Sequence, residues 1–374
     1  MKTRKNIYYL LPLLLLSCNG KKSDDTVVTT QPYEIKYARG FEVKKTDDYT
    51  QVIIRDPWDT TRYLQKYVLV AKEKTVPEHL PEGTLIRTPI ERVVAYASPH
   101  CGVLNELGRI KTITGVCESR YIDIPYIRES VNKGSIPDLG EASAPDVERL
   151  IELQPEVIMT SPFQHVSYGR VSKTGIPLIE CADYMEATPL GRAEWIRFHG
   201  LFHDSERLSD SLFNITEQRY NELKARVANT TERPTMFAER KSGQAWFIPG
   251  GNSYMANFYR DAGAAYLWSD NGSAGSISLS FEEVFDKAQA ADYWLLKHNG
   301  AQTLTYAQLK QDYRLYGEFE AYKNRNIYVC NSGKVPFYEE MPLHPDRVLA
   351  DLVWIFHPEL MEGFSPRYFK KMEE

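Results

Sequence analysis

The chain has 374 residues, 43% of them hydrophobic, which is enough to bury a large core and to divide into two or three domains. Its 45 basic residues are outweighed by 50 acidic ones, giving a net charge of -5. That balance provides no basic footprint and excludes a nucleic-acid partner.

Residues 1–17 read as a secretory leader. Lys2, Arg4 and Lys5 precede an apolar run from Ile7 to Leu16, which is too short for a mature membrane span. The ending Leu15-Leu16-Ser17-Cys18 resembles a bacterial lipobox, in which Cys18 becomes the lipid-bearing first residue. The polar stretch that follows belongs to a flexible tether over residues 18–32, and its Ser23-Asp24-Asp25 resembles acidic export tags of surface lipoproteins. The expected location is the cell envelope with a lipid anchor. The periplasmic face of the inner membrane, the outer membrane and the cell surface all remain open.

Residues 33–91 follow β grammar. Phe41 to Lys45, a turn at Asp47-Asp48 and Gln51 to Arg55 predict a hairpin, followed by strands at Tyr63–Ala71 and Leu85–Thr88. This β-rich extension is expected to pack on the first lobe as scaffold.

From Arg92 strand and helix alternate, predicting an N-terminal α/β lobe over 92–203. Val93 to Ala97, Val157 to Thr160 and Leu178 to Cys181 read as buried strands, with another leading in through Ile110 to Val116. Short helices are expected at Val103–Leu107 and Asp146–Leu153, and Thr188-Pro189 opens another.

Asp204 to Val227 contains neither glycine nor proline. Leu208, Leu212, Ile215, Tyr220, Leu223 and Val227 recur near helical spacing. A single helix here runs roughly 35 Å, long enough to act as a spine along two lobes.

Beyond the spine the α/β grammar returns over 228–374. Strands are predicted at Thr235–Glu239, Ala245–Ile248 and Tyr293–Lys297, with helices at Tyr254–Ala262 and Ser280–Ala288. Asp146 to Glu152 partly matches Ser280 to Asp286, and each precedes a strand within ten residues. Two similar lobes imply a cleft between them. The predicted fold class is therefore α/β: two parallel-sheet lobes joined by one long rigid helix, with an N-terminal β-rich extension.

Leu139-Gly140, Pro145-Asp146-Val147-Glu148-Arg149-Leu150 and Leu153 to Ile158 resemble the class III substrate-binding proteins of ABC importers. The likeness continues through Ala262-Gly263-Ala264, Ser280-Phe281-Glu282 and His344-Pro345-Asp346 to Leu360, so it covers about Arg92 to Leu360. It implies a two-lobed protein that captures an iron complex of siderophore type and delivers it to a permease. Cobalamin, another corrinoid or haem are alternative ligands. It also implies that Glu148 and Glu282, one per lobe, pair with arginines of the permease; Glu283 fits a capping box instead. The β-rich extension departs from the simplest members.

No Gly-x-Ser-x-Gly elbow, His-Glu-x-x-His motif or phosphate loop is present, and Gly250-Gly251 alone is a weak signal. The chain is read as a binding protein, not an enzyme, and needs no cofactor. A chelatase-like metal-handling enzyme is the alternative from another class. His199 and His203 have a spacing that suits a metal, yet no third ligand is evident and they are read as packed histidines. Cys101, Cys117, Cys181 and Cys330 fit either two disulfides or buried free thiols.

A bulky chelate needs aromatic walls with a few polar groups, and the chain has 24 Tyr, 15 Phe and 6 Trp. Ligand contacts are therefore expected on loops after strands, at His100, Phe163, Tyr168, Arg170, Tyr184, Trp246, Tyr254 and Tyr338, with Gln164, Lys297 and His298 nearby. Arg170 is the expected cation for an anionic chelate.

Overall fold

The structure, a computed structural model, describes residues 31–374. The leader, Cys18 and nearly all of the tether lie outside the described residues.

The molecule has two α/β lobes joined by one long helix. In the first lobe four parallel strands stand in the order Ile113–Val116, Val93–Ala95, Val157–Thr160, Leu178–Glu180. Val93–Ala95 and residues 157–159 are continuous apolar runs because both faces of a parallel sheet are covered. In the second lobe the order is Ala265–Tyr266, Thr235–Ala238, Tyr293–His298, Ile327–Asn331, closed by antiparallel Phe369–Lys371. The second strand lies beside the first and the later ones beyond it in both lobes, so the partial sequence match is a shared topology. This order places the switch point, where binding loops gather, at the carboxyl ends of the first strands.

The matching helices are Val147–Glu152 and Phe281–Ala288. Asp146 caps the first by accepting the Arg149 N–H at 3.1 Å. Ser280 and Glu283 form the expected capping box on the second. Glu148 and Glu282 are left exposed in the first turns.

The extension forms a five-stranded sheet ending in Thr50–Arg55, Tyr63–Ala71 and Thr84–Thr88, the last two parallel. It shares one core with the first lobe: Phe41 packs on Trp195 and Phe198 at centroid distances of 4.9 and 5.6 Å. The fully buried Tyr67 hydroxyl donates to Leu178 O at 2.8 Å and accepts the Glu180 N–H at 2.9 Å. Leaving those partners unmatched would cost about 1–3 kcal/mol. Between the first two strands of the sheet, Gln31–Pro32 and Phe41–Lys45, residues 36–40 are gripped by two buried carboxylates. Glu194 accepts the N–H groups of Lys36, Tyr37 and Ala38 at 2.7–2.9 Å, and Glu186 accepts those of Arg39 and Gly40 at 2.8 Å.

The spine helix is Glu206–Ala228, 23 residues. Its buried face is Ser209, Phe213, Thr216, Tyr220, Leu223 and Val227. That corrects the expected face in its first half, where Leu208 and Ile215 are 43% and 47% exposed. The cause is the preceding helix Trp195–Phe202, whose Gly200 comes so near that a β-carbon there would stand 2.3 Å from Ser209 Oγ. A close helix crossing selects a small residue, not an apolar one. Farther along, the spine packs against the helix Pro345–Phe356.

A second joint closes the base. Gly102, in the helix Ser98–Glu106 of the first lobe, abuts the carbonyl of Glu339 in the second-lobe helix Phe337–Glu340. The Glu339 carboxylate accepts the Asp123 N–H at 3.0 Å, and Asn257 Nδ2 donates across the lobes to Ala187 O at 3.0 Å. The four cysteines of the described part are free and buried.

Candidate functional site

Two adjoining cavities open above this joint. The larger, about 840 Å³, is walled by first-lobe loops 97–99 and 118–123 and by Asn299, Ser332, Gly333, Tyr338 and Glu339 of the second lobe. The smaller, about 550 Å³, lies in the second lobe against Phe247, Tyr254, Met255 and Lys297. They meet at Asn299, Ser332 and Tyr338. These loops follow the strands Val93–Ala95, Ile113–Val116, Tyr293–His298 and Ile327–Asn331, so parallel sheets from both lobes aim their carboxyl ends at one space.

The loops are braced before any ligand arrives. Asn331 Nδ2 donates to Gly300 O at 2.9 Å, and the Ser332 N–H donates to His298 O at 2.8 Å. Glu118 holds a left-handed backbone, φ 53°, at the end of its strand. Such a conformation costs a non-glycine residue about 1–2 kcal/mol and places its carboxylate on the cavity wall. Burial and the neighbouring Glu141 hold that carboxyl above its ordinary range, and burial does the same for Glu339.

Tyr338 and Tyr254, both expected contacts, line the cleft, as do Lys297 and His298. Tyr338 is 45% exposed, while the Tyr254 hydroxyl donates to Met341 O at 3.2 Å and its ring lies beneath Arg192. Trp246 is a correction: it is fully buried, its Nε1 donates to Ala238 O at 3.1 Å, and it packs with Trp294 and Phe319. The alternation of a strand turns its neighbour Phe247 toward the cleft instead, 50% exposed.

His100 is likewise buried, behind the cleft wall formed by Ser98 and Pro99. Its Nε2 lies 3.4 Å from Ser161 Oγ, and burial pulls its pKa down to about 4. Tyr168 packs in a minor core with Val171 and Tyr96. Arg170 points to Glu148, 4.0 Å away, and does not line either cavity. Phe163 and Tyr184 pair at 5.8 Å on a separate lip, with Gln164 exposed beside them.

His199 and His203 are buried, and the ring of His203 lies 3.4 Å from Ile90 O through Nδ1. Among the described residues no group of three or more His, Cys, Asp or Glu side chains stands close enough to hold a metal. Tyr121, Ser119, Asn132, Asn299 and Ser332 are wall residues that sequence reasoning missed. Position after a strand marks Ser119 and Tyr121, behind Ile113–Val116, Asn299, behind Tyr293–His298, and Ser332, behind Ile327–Asn331, the one strand of these that the sequence reading lacks; Asn132 ends the helix Pro125–Asn132 and carries no such signal.

A third cavity, about 380 Å³, lies behind the spine between Leu223, Ala350 and Phe364. Its Arg347 and Arg367 pair with Glu340, and Asp351 is occupied by the N–H groups of residues 367–369. It is not fed by the strand ends.

Residues 93–333, more than half of the chain, match the model of a family described as periplasmic binding protein. The chain belongs to that family. It is 26% identical over 362 residues to an uncharacterized lipoprotein of Methanocaldococcus jannaschii, covering 90% of this chain and 85% of the relative. Among solved structures it resembles a possible iron-binding (periplasmic solute-binding) protein of Staphylococcus epidermidis, with TM-score 0.57, 20% identity and coverage of 72% and 100%. It also resembles a periplasmic heme binding protein of Pseudomonas aeruginosa, with TM-score 0.59, 14% identity and coverage of 76% and 99%. These structural likenesses establish the periplasmic-binding fold, and the β-rich extension precedes the matched region.

Proposed function

We propose that this protein is the substrate-binding component of an ABC importer, which captures an iron chelate of siderophore type between its lobes and delivers it to the permease. The observation that carries the reading is the pair of cavities sharing Asn299, Ser332 and Tyr338, because they form one large concave space between lobes with aromatic and hydroxyl walls. Family membership and the iron- and haem-binding names of structural neighbours support it.

Delivery needs a reversible dock. Glu148 and Glu282 occupy equivalent first-turn positions on the two lobes, exposed, and rim charges of this kind set register and association rate. Cys18 carries the lipid anchor that keeps the protein in the cell envelope. The spine and the Gly102–Glu339 joint limit lobe motion to a few degrees, so recognition by the permease reads ligand-dependent surface more than a wide closure.

The test replaces Glu148 and Glu282 together with lysine. Folding and chelate binding should persist while uptake through the permease is lost. Uptake at the normal rate by the stable double variant would refute the docking assignment.

A further inference from the structure

We propose that the chelate held in this cleft bears no net negative charge; the inference rests on the binding reading above and narrows its ligand class. Four cations line the two cavities, and each is already committed to a carboxylate of the protein. Arg120 meets Glu141 at 2.9 Å, Arg128 meets Asp123 at 2.7 Å, Arg240 meets Asp312 at 2.7 Å, and Lys297 pairs with Glu239. The remaining cation expected from the sequence, Arg170, sits outside both cavities beside Glu148.

The wall carries two further carboxylates with no such partner. Glu118 stands beside Glu141 and shares the influence of a single guanidinium, Arg120. Glu339 is buried against the Asp123 amide. An anionic ligand entering here would meet only cations whose charge is already offset by a protein carboxylate, and would face these two carboxylates besides. A neutral or weakly cationic chelate would meet neither obstacle.

The groups left free to recognise it are uncharged. Ser98, Asn132 and Asn299 present a hydroxyl and two carboxamides, and Tyr338 presents a ring and a hydroxyl, whereas the Ser119 and Ser332 hydroxyls already donate to Asp138 and to His298 O. Such a set suits a ligand fringed with amides, carbonyls or hydroxamates, where dipoles match dipoles and the affinity does not depend on salt.

The test titrates the full chain, by its tyrosine and tryptophan fluorescence, with a ferric trihydroxamate, with cyanocobalamin and with a ferric tris-catecholate, a trianion, each at low and high salt. We expect a trihydroxamate or the corrinoid to bind with affinity constant within about twofold across salt. The trianion should bind at least about a hundredfold more weakly. Tight trianion binding that weakens with salt overturns this inference and leaves the cleft reading standing. Binding by none of the three overturns the cleft reading itself.

A converse experiment releases the cations. Glu141 and Asp312 are surface carboxylates, 55% and 54% exposed at the side chain, so Glu141→Gln and Asp312→Asn should fold normally. Freeing Arg120 and Arg240 in this way should raise trianion affinity by about tenfold per site. Unchanged trianion affinity in the double variant would show that the internal pairs are not what excludes anions.

Discussion

Gly102→Ala tests whether the lobes are joined at the cleft base as well as by the spine. The added β-carbon would stand 2.6 Å from the Glu339 carbonyl oxygen and 3.3 Å from its carbonyl and α-carbons, whereas ordinary contact begins near 3.4 Å. The obstacle is backbone, held in place by Phe337 packing edge-on to Tyr368 and Phe369, so the two helices must separate by roughly 0.8 Å. Overpacking of this kind costs about 1–3 kcal/mol, and replacing a mid-helix glycine by alanine returns about 1 kcal/mol. The net loss should be up to about 2 kcal/mol, read as a fall of up to about 3 °C in melting temperature. Hydrogen exchange at the Asp123 amide should quicken, since its acceptor is the Glu339 carboxylate. Gly272→Ala is the control: it faces open space without a left-handed backbone and should lose nothing. A melting temperature that rises in Gly102→Ala, as helix propensity alone would give, refutes the second joint.

Glu194→Gln leaves three backbone N–H groups competing for one carbonyl oxygen and removes a buried partner of Arg197, so a loss of about 2–4 kcal/mol and rapid tryptic cleavage after Lys36 and Arg39 are expected; wild-type protease resistance would contradict the clamp. Burial holds both His100 and His203 near a pKa of 4 against an ordinary 6.5. The unfolded chain therefore takes up protons first, and the stability they contribute is present above pH 6.5 and lost as pH falls toward 4, on the order of 3 kcal/mol each. Glu180, raised by burial from 4.5 to about 7, acts in the opposite sense, since its contribution is lost as pH rises through that window. Two histidines outweigh one carboxyl, so melting temperature should fall steadily with acidification over this range, less steeply in His100→Gln/His203→Asn; a pH-independent melting temperature would contradict this. Cys18→Ser should move the protein to the soluble fraction with chelate binding intact, and retention on membranes would sink the lipid-anchor assignment.

What could be read from the sequence depended on whether one local pattern decided the matter. The strands Val93–Ala95 and Val157–Thr160 announced a parallel sheet because both of their faces are buried, and Ser280 with Glu283 announced a helix start because a capping box is local. The spine was legible as a helix for want of any breaker, but the first half of its buried face was misassigned, since the close approach of Gly200 to Ser209 is a tertiary fact. Alternation in Ala245–Pro249 fixes that Trp246 and Phe247 point to opposite sides, without saying which side is core. The wider aromatic ring went inside, where Phe237, Trp294 and Phe319 complete its packing. The pairing of Arg120 with Glu141 and of Arg240 with Asp312 joins residues 21 and 72 positions apart, beyond any spacing rule. Gly102 gave no signal at all, because its role exists only against Glu339.

The central claim, that the space between the lobes holds an iron chelate, is tested most directly by diffraction at the iron absorption edge from crystals grown with a ferric trihydroxamate. The account predicts one strong anomalous peak between the lobes, in the space bounded by Tyr338, Tyr121 and Asn299, with only slight lobe rotation. A peak confined to the cavity behind the spine near Leu223 and Phe364, or no iron at all, would contradict it.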